Sequence, residues 1–247
     1  MFEFLIKKLK AHPRTIVFTE GPDARILEAA DRLLKALREA GTEDFQKFGG
    51  AEELELSYTR TPLLSLVRKR AGWLVILFLS EMLTASAMGY FDDEIARAVV
   101  LALFVPLIIS SGGNSGSQAA SLIIRALALG ELGIRQWWYI LRKELLSGVL
   151  LGAILGCIGL VRIIVWQQFG LYDYGEYWGW IGASVAVSLL FIVLWGTVSG
   201  SMIPLLLKRI GLDPATASAP FVATLVDVTG LIIYFTVSAI LLSGKLL

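Results

Sequence analysis

The chain has 247 residues, of which 56% are hydrophobic, and a water-soluble domain could not keep so much apolar side-chain surface away from solvent. Lys and Arg number 22 against 21 Asp and Glu, which gives a formal net charge of +1 and excludes the basic footprint of a nucleic-acid-binding protein. The single cysteine, Cys157, and the single histidine, His12, exclude an intramolecular disulfide and a histidine-rich metal site. The composition therefore predicts an integral membrane protein.

The first 60 residues carry most of the water-soluble character. TIVFTE (15–20) is typical of a short strand, and GPDARILEAADRLLKALREAG (21–41) has apolar residues at helical spacing. The start of the chain, MFEFLIKKLKAHPR, has no continuous apolar run, so we expect no cleaved signal peptide. These features predict a small cytoplasmic strand-helix appendage over residues 1–60, followed by a membrane domain over residues 61–247.

The membrane domain has five apolar stretches, each long enough to cross a hydrocarbon core of ~30 Å at ~1.5 Å per helical residue. We therefore predict an all-α membrane fold with five transmembrane helices per protomer. The predicted spans lie near 73–91, 95–117, 142–166, 179–207 and 217–243.

The loops between the spans alternate in charge. Basic clusters lie before the first span (68–70), between the second and third (125–143) and between the fourth and fifth (208–209), whereas the other loops are acidic or aromatic. Because basic loops stay in the cytoplasm, we expect a multi-pass protein of the cell inner (plasma) membrane with a cytoplasmic N-terminus and an external C-terminus. Six tryptophans at predicted span ends agree with this placement: Trp73, Trp137, Trp138, Trp166, Trp178 and Trp180.

A glycine-rich and hydroxyl-rich segment, PLIISSGGNSGSQ (106–118), interrupts the second apolar stretch. Pro106 removes one helical hydrogen bond, so we expect a break in the helix here. One interpretation is a pore segment in which Asn114 and backbone carbonyls contact an ion, since irregular backbone in a membrane usually lines a cavity. The other interpretation is close helix packing, for which glycine and serine are also used.

Two carboxylates lie inside predicted spans at similar depth, Asp227 in the fifth and Glu81 in the first. An acid within the membrane is a functional-site hypothesis because its insertion costs at least ~2.5 kcal/mol. Alternatively, Asp227 is structural and bonded to Thr224 or Thr229, and Glu81 pairs with a hydroxyl such as Thr84. The nearby oxygen ligands suit Mg2+ or Ca2+ better than soft metals.

Three motifs together resemble the membrane domain of the MgtE family of magnesium transporters. They are RKRAGWL (68–74), SSGGNSGSQAASLIIRALALGEL (110–132) and GLDPATASAPFVATLVDVTG (211–230), and the resemblance covers residues 60–247. It implies a homodimer with the pore at its twofold axis, in which Asp227 binds a largely hydrated Mg2+. It also implies that Asn114, Gly113 and the backbone of Ala223 line the pore. The resemblance assigns no role to Glu81, which joins the candidate metal residues through its depth.

Two features depart from the family pattern. Family members commonly carry CBS modules before the membrane domain, and these close the pore when cytosolic Mg2+ is high; we expect none here and therefore no Mg2+ sensing of the CBS type. A polar residue that some members place before the proline of the fifth span is Ala219 in this chain. Residues 1–34 instead resemble the N-terminus of phosphate acetyltransferases, but the resemblance ends before a catalytic part, so we expect no such activity.

The leading hypothesis is therefore transport of divalent cations, chiefly Mg2+, across the lipid bilayer. The alternative is an intramembrane enzyme that uses Asp227 and Glu81 as an acid-base pair, although no nucleophile or phosphate-binding loop accompanies them. A third hypothesis, a membrane anchor, leaves the intramembrane carboxylates without a purpose.

Overall fold

The structure is a computed structural model that describes residues 47–50 and 58–246, together with Glu28, Asp31 and Glu52. The predicted strand TIVFTE lies outside the described residues. The predicted helix after it also lies outside them, except for Glu28 and Asp31, which are helical.

Six α-helices make up the described part of the chain. Five helical segments are long and apolar enough to cross a membrane, which confirms the predicted number of spans. Four short 3-10 turns complete the described elements, at Tyr58–Arg60, Val99–Phe104, Ile134–Gln136 and Pro214–Thr216. The helices are α1 (Leu63–Tyr90), α2 (Asp92–Arg97), α3 (Val105–Ala128), α4 (Trp137–Gln168), α5 (Trp178–Arg209) and α6 (Ala219–Leu242).

Four of the five spans extend beyond the predicted apolar stretches at one or both ends, whereas the fifth is slightly shorter than predicted. α1 begins at Leu63 rather than near Trp73, so the basic residues 68–70 are part of the helix instead of preceding it. Its 28 residues span ~42 Å, which exceeds the ~30 Å hydrocarbon core. Hydropathy marks only the part of a helix inside hydrocarbon, whereas the backbone hydrogen bonds continue into the interface.

The predicted break in the second span is wrong. α3 runs without interruption from Val105 to Ala128, through the whole glycine-rich segment. Pro106 lies in the first turn, where its missing N–H costs no helical hydrogen bond, and the irregular backbone is the preceding 3-10 turn. A continuous helix satisfies the backbone in the membrane, and packing of the glycines offsets their weak helix propensity.

Glycine contacts hold α3 against α5 at the centre of the bundle. A Cβ atom added at Gly196 would lie 2.6 Å from the carbonyl oxygen of Gly112, and one added at Gly200 would meet the carbonyl of Gly116. Because neither backbone can move aside, both α5 positions require glycine. On its other side α5 packs closely on α4, where Gly152 faces the backbone of Leu190.

Helices α3 to α6 enclose the apolar core, whereas α1 packs mainly on α6. Buried polar groups join the core elements: Tyr234 donates a hydrogen bond to the carbonyl of Leu101 (2.9 Å), and Ser184 shares one with Ser238 (2.8 Å). Most apolar side chains of α1 are exposed, as expected for a helix that faces lipid.

Polar contacts connect the elements at one end of the bundle. Lys208 of α5 donates to the carbonyl of Leu127 at the end of α3, and Trp73 of α1 donates to Ser218 ahead of α6 (3.1 Å). Lys47 forms an ion pair with Asp213 in the α5–α6 loop. The three basic clusters therefore lie at the same end of the molecule.

Candidate functional site

Asp227 lies on α6, well inside the membrane-spanning part. It is eight residues after Ala219, the start of the helix, and therefore ~12 Å along the helix axis. The residue is only half-buried within the chain. Its depth agrees with the sequence prediction of an intramembrane carboxylate.

Gly113 of α3 faces this carboxylate directly. A Cβ atom at Gly113 would lie 3.2 Å from Oδ1 of Asp227 and 3.4 Å from Cβ of Ala223, one helical turn earlier on α6. The structure thus brings together three of the predicted site residues. Gly113 and Ala223 thus present only small groups to the carboxylate.

The hydroxyls that could make Asp227 a purely structural residue are engaged elsewhere. Thr224 donates to the carbonyl of Pro220 (3.0 Å), and Thr229 donates to that of Leu225 (2.7 Å). A hydroxyl has one proton to donate, so neither is a donor to Asp227. Asp227 makes no hydrogen bond or ion pair with any residue in the described part of the chain.

Glu81 of α1 joins Asp227 at this depth. The hydrogen bond between Trp73 and Ser218 sets the register of the two helices, and Glu81 and Asp227 follow these residues by eight and nine positions. The alternative partner of Glu81, Thr84, makes no hydrogen bond within the described residues although its hydroxyl is buried. Among these residues no group of three or more His, Cys, Asp or Glu side chains is placed to hold a metal ion, so the site in one chain is this pair of carboxylates.

Asn114 follows Gly113 on α3 and makes no recorded hydrogen bond with either carboxylate. It is exposed, and its Nδ2 donates to Oγ of Ser110 one turn earlier (3.3 Å). No contact between Asn114 and Asp227 is found within one chain. An exposed amide in the middle of a span is unusual for a surface that faces lipid.

The sequence analysis missed the role of Trp195. Its indole nitrogen donates to Oγ1 of Thr229 (2.7 Å), two residues after Asp227, and so fixes α5 against the site helix. Trp195 is 17 residues after the start of α5 at Trp178, ~26 Å from the interface where tryptophan is usually found. The position of Trp195 so far from the interface could have indicated a specific hydrogen-bond partner.

Comparison with known proteins places this site in a family. The family model described as a divalent cation transporter, MgtE, matches residues 105–237. The match covers more than half of the chain and includes α3 and most of α6. The chain belongs to the MgtE family. This is a family of transporters rather than of enzymes, and with its five apolar helices the chain is a multi-pass membrane protein.

Three curated relatives bear the printed name magnesium transporter MgtE. The protein from Thermus thermophilus is 40% identical over 214 residues, which are 87% of this chain and 45% of that protein. The Bacillus subtilis protein is 30% identical (86% and 45%), and the Enterococcus faecalis protein is 29% identical (85% and 44%). The chain thus spans less than half the length of these MgtE relatives.

Proposed function

We propose that this protein transports divalent cations, chiefly Mg2+, across the membrane through an oxygen-lined pore at the interface of a homodimer. The observation that carries the proposal is the carboxylate of Asp227, which lies within a span, makes no hydrogen bond or ion pair with a described residue and lies against the small residue Gly113. The name of the relatives, magnesium transporter, supports Mg2+ as the principal substrate.

The half-buried state of Asp227 supports a dimer. A carboxylate left against lipid at this depth costs at least ~2.5 kcal/mol, and the neighbouring Asn114 is also open to the outside of a single chain. A second copy placed against this face covers both groups and puts two Asp227 carboxylates across one axis. Their mutual repulsion then favours a divalent cation between them.

The small residues around Asp227 suit a hydrated ion. Mg2+ gives up its water reluctantly, and a site that keeps several water molecules avoids that cost. Gly113 and Ala223 leave room for the water shell, while their backbone and the Asn114 amide supply hydrogen-bonding groups for it. Glu81 adds a second carboxylate from α1.

The orientation of the pore follows from the basic end of the bundle. The clusters at 68–70, 125–143 and 208–209 belong to one end, which we assign to the cytoplasm of the inner membrane. Asp227 then receives ions from the external side and releases them toward Lys208 and Arg209.

Asp227→Asn in proteoliposomes tests the proposal. The substitution keeps the size of the side chain and removes two charges per dimer, so we expect the apparent Mg2+ affinity of uptake to fall about tenfold or more, equivalent to ~1.4 kcal/mol. Discrimination against monovalent cations should also decrease. Glu144→Gln is the matched control, because Glu144 is a half-buried carboxylate on α4, away from α6. Uptake by Asp227→Asn with wild-type affinity and selectivity would show that Asp227 is structural.

A further inference from the structure

The face of α1 that packs on α6 carries polar groups in its middle. The less exposed side chains of α1 recur every three or four residues, at Leu77, Glu81, Thr84, Met88 and Phe91, whereas their neighbours are mostly exposed. Residues at this spacing share one face of a helix. Glu81 and Thr84 therefore face α6 and not the lipid.

Contacts at both ends fix this face of α1 against α6. Near the basic end, Trp73 donates its hydrogen bond to Ser218, the N-cap of α6. At the other end, the ring of Phe91 stacks on Phe235 of α6 with the centroids 5.2 Å apart. Glu81 lies between these two contacts, so its position beside α6 follows from the packing of the whole helix.

The interface between α1 and α6 has negative charge without a protein cation to balance it. Neither Glu81 nor Asp227 forms an ion pair or hydrogen bond with a described residue. Two carboxylates at the same depth in a span repel each other more strongly than they would in water. A bound cation removes the repulsion without loss of either charge.

Thr84 supplies an independent indication of a ligand. The residue is only 7% exposed, and its hydroxyl oxygen has no hydrogen-bond partner in the described structure. Buried hydroxyls nearly always have a partner, which is protein, water or an ion. Thr84 follows Glu81 by three residues, so both lie on the face of α1 that packs on α6.

We propose that each protomer binds a hydrated divalent cation between α1 and α6, held by Glu81, the hydroxyl of Thr84 and Asp227. This lateral site rests on the proposed function only in that Asp227 is taken to bind the transported ion. It differs from the axial site because one chain supplies all three ligands. The ligands are hard oxygen donors, which select Mg2+, Mn2+ or Ca2+ over softer metals.

The lateral site gives the transporter two neighbouring positions that share Asp227. Ions leave a multi-site pathway faster than a single deep site, since an arriving ion repels the one already bound. Glu81 therefore acts on the release of the ion as well as on its binding. Loss of Glu81 leaves the axial site in place and removes only the lateral one.

Counting bound Mn2+ tests the lateral site. We use the purified full chain in detergent at neutral pH, with equilibrium dialysis against Mn2+. Glu81→Gln should bind about two Mn2+ fewer per dimer than the wild type, one for each lateral site. Thr84→Val, which keeps the shape of the side chain, should weaken these two sites several-fold, and Thr84→Ser should restore them. Glu144→Gln is the control and should bind as the wild type does.

The outcomes separate this inference from the proposed function. If Glu81→Gln and Thr84→Val both bind Mn2+ with wild-type number and affinity, the lateral site is wrong, and it is wrong whether or not Asp227→Asn impairs uptake. If Glu81→Gln loses the two ions while Asp227→Asn transports Mg2+ normally, the lateral site stands and the axial pore falls. Thr84→Val decides the result should Glu81→Gln fail to fold.

Discussion

Asp227 has a free carboxylate because the hydroxyls nearest to it in sequence donate to their own helix. Thr224 and Thr229 both donate to carbonyls four residues earlier on α6. The sequence could predict an acid within a span, but whether a hydroxyl served it depended on side-chain rotation, which spacing does not reveal. Because these hydroxyls do not donate to Asp227, the ion-binding interpretation is favoured over the structural one.

Gly200 is the residue at which close packing has the clearest consequence. A Cβ atom there would meet the carbonyl group of Gly116, and backbone cannot rotate away as a side chain can. We therefore expect Gly200→Ala to force α3 and α5 apart and to destabilise the protein by about 1–3 kcal/mol. The measurement is the midpoint of thermal unfolding in detergent.

Gly179→Ala is the matched control for this prediction. Gly179 lies on the same helix, and nothing is within 4 Å of a Cβ atom added there. The midpoint should stay the same or rise slightly, because alanine favours a helix over glycine. Equal losses at both positions would indicate that the contact with Gly116 is not responsible.

At the scale of elements, the glycine-rich segment serves both interpretations that the sequence left open. Gly112 and Gly116 contact α5, as in helix packing, whereas Gly113 faces Asp227 on α6. Successive residues of a helix point in directions ~100° apart, so neighbouring glycines contact different helices. A continuous helix thus brings the glycine-rich segment against Asp227 without the break that was predicted.

Ser218 is the residue that links α1 to α6. Its hydroxyl accepts a hydrogen bond from the backbone N–H of Phe221, as an N-cap does, and another from the indole of Trp73. We expect Ser218→Ala to lower the free energy of unfolding by about 1 kcal/mol and the thermal midpoint by roughly 2–4 °C.

Two variants separate the contribution of the helix cap from that of the hydrogen bond between α1 and α6. Trp73→Phe removes the bond between the helices and keeps the cap, so its loss should be smaller than that of Ser218→Ala. Ser218→Thr keeps both bonds and should retain most of the stability. A Ser218→Ala protein with the wild-type midpoint would mean that the cap contributes nothing in the detergent-solubilised protein.

At the scale of the whole molecule, the structure gathers the basic loops at one end. The α3–α4 connection follows Leu127, whose carbonyl accepts from Lys208 at the end of α5. α1 and α6 begin at this same end, where Trp73 meets Ser218. The charge pattern and the packing therefore agree that the basic loops lie at a single end of the bundle.

Reporter fusions test this orientation. A green fluorescent protein inserted after Arg135 should fluoresce, because it would fold in the cytoplasm. Alkaline phosphatase fused after Leu247 should be active, because it would be exported. A phosphatase that is inactive at Leu247 but active at Arg135 would reverse the orientation and with it the proposed direction of uptake.

Composition, the charge of the loops and the spacing of apolar residues by themselves determined the class of protein, the number of spans and the two intramembrane acids. Each of these is a property of one segment and of its transfer into lipid, which depends on local sequence. The tertiary structure alone decided that α3 is unbroken, that Gly113 faces Asp227 and that Glu81 lies beside it. These contacts join residues that are far apart in the chain, as with Trp73 and Ser218, 145 positions apart. Their geometry depends on which faces the helices present to one another, and no single segment contains that information.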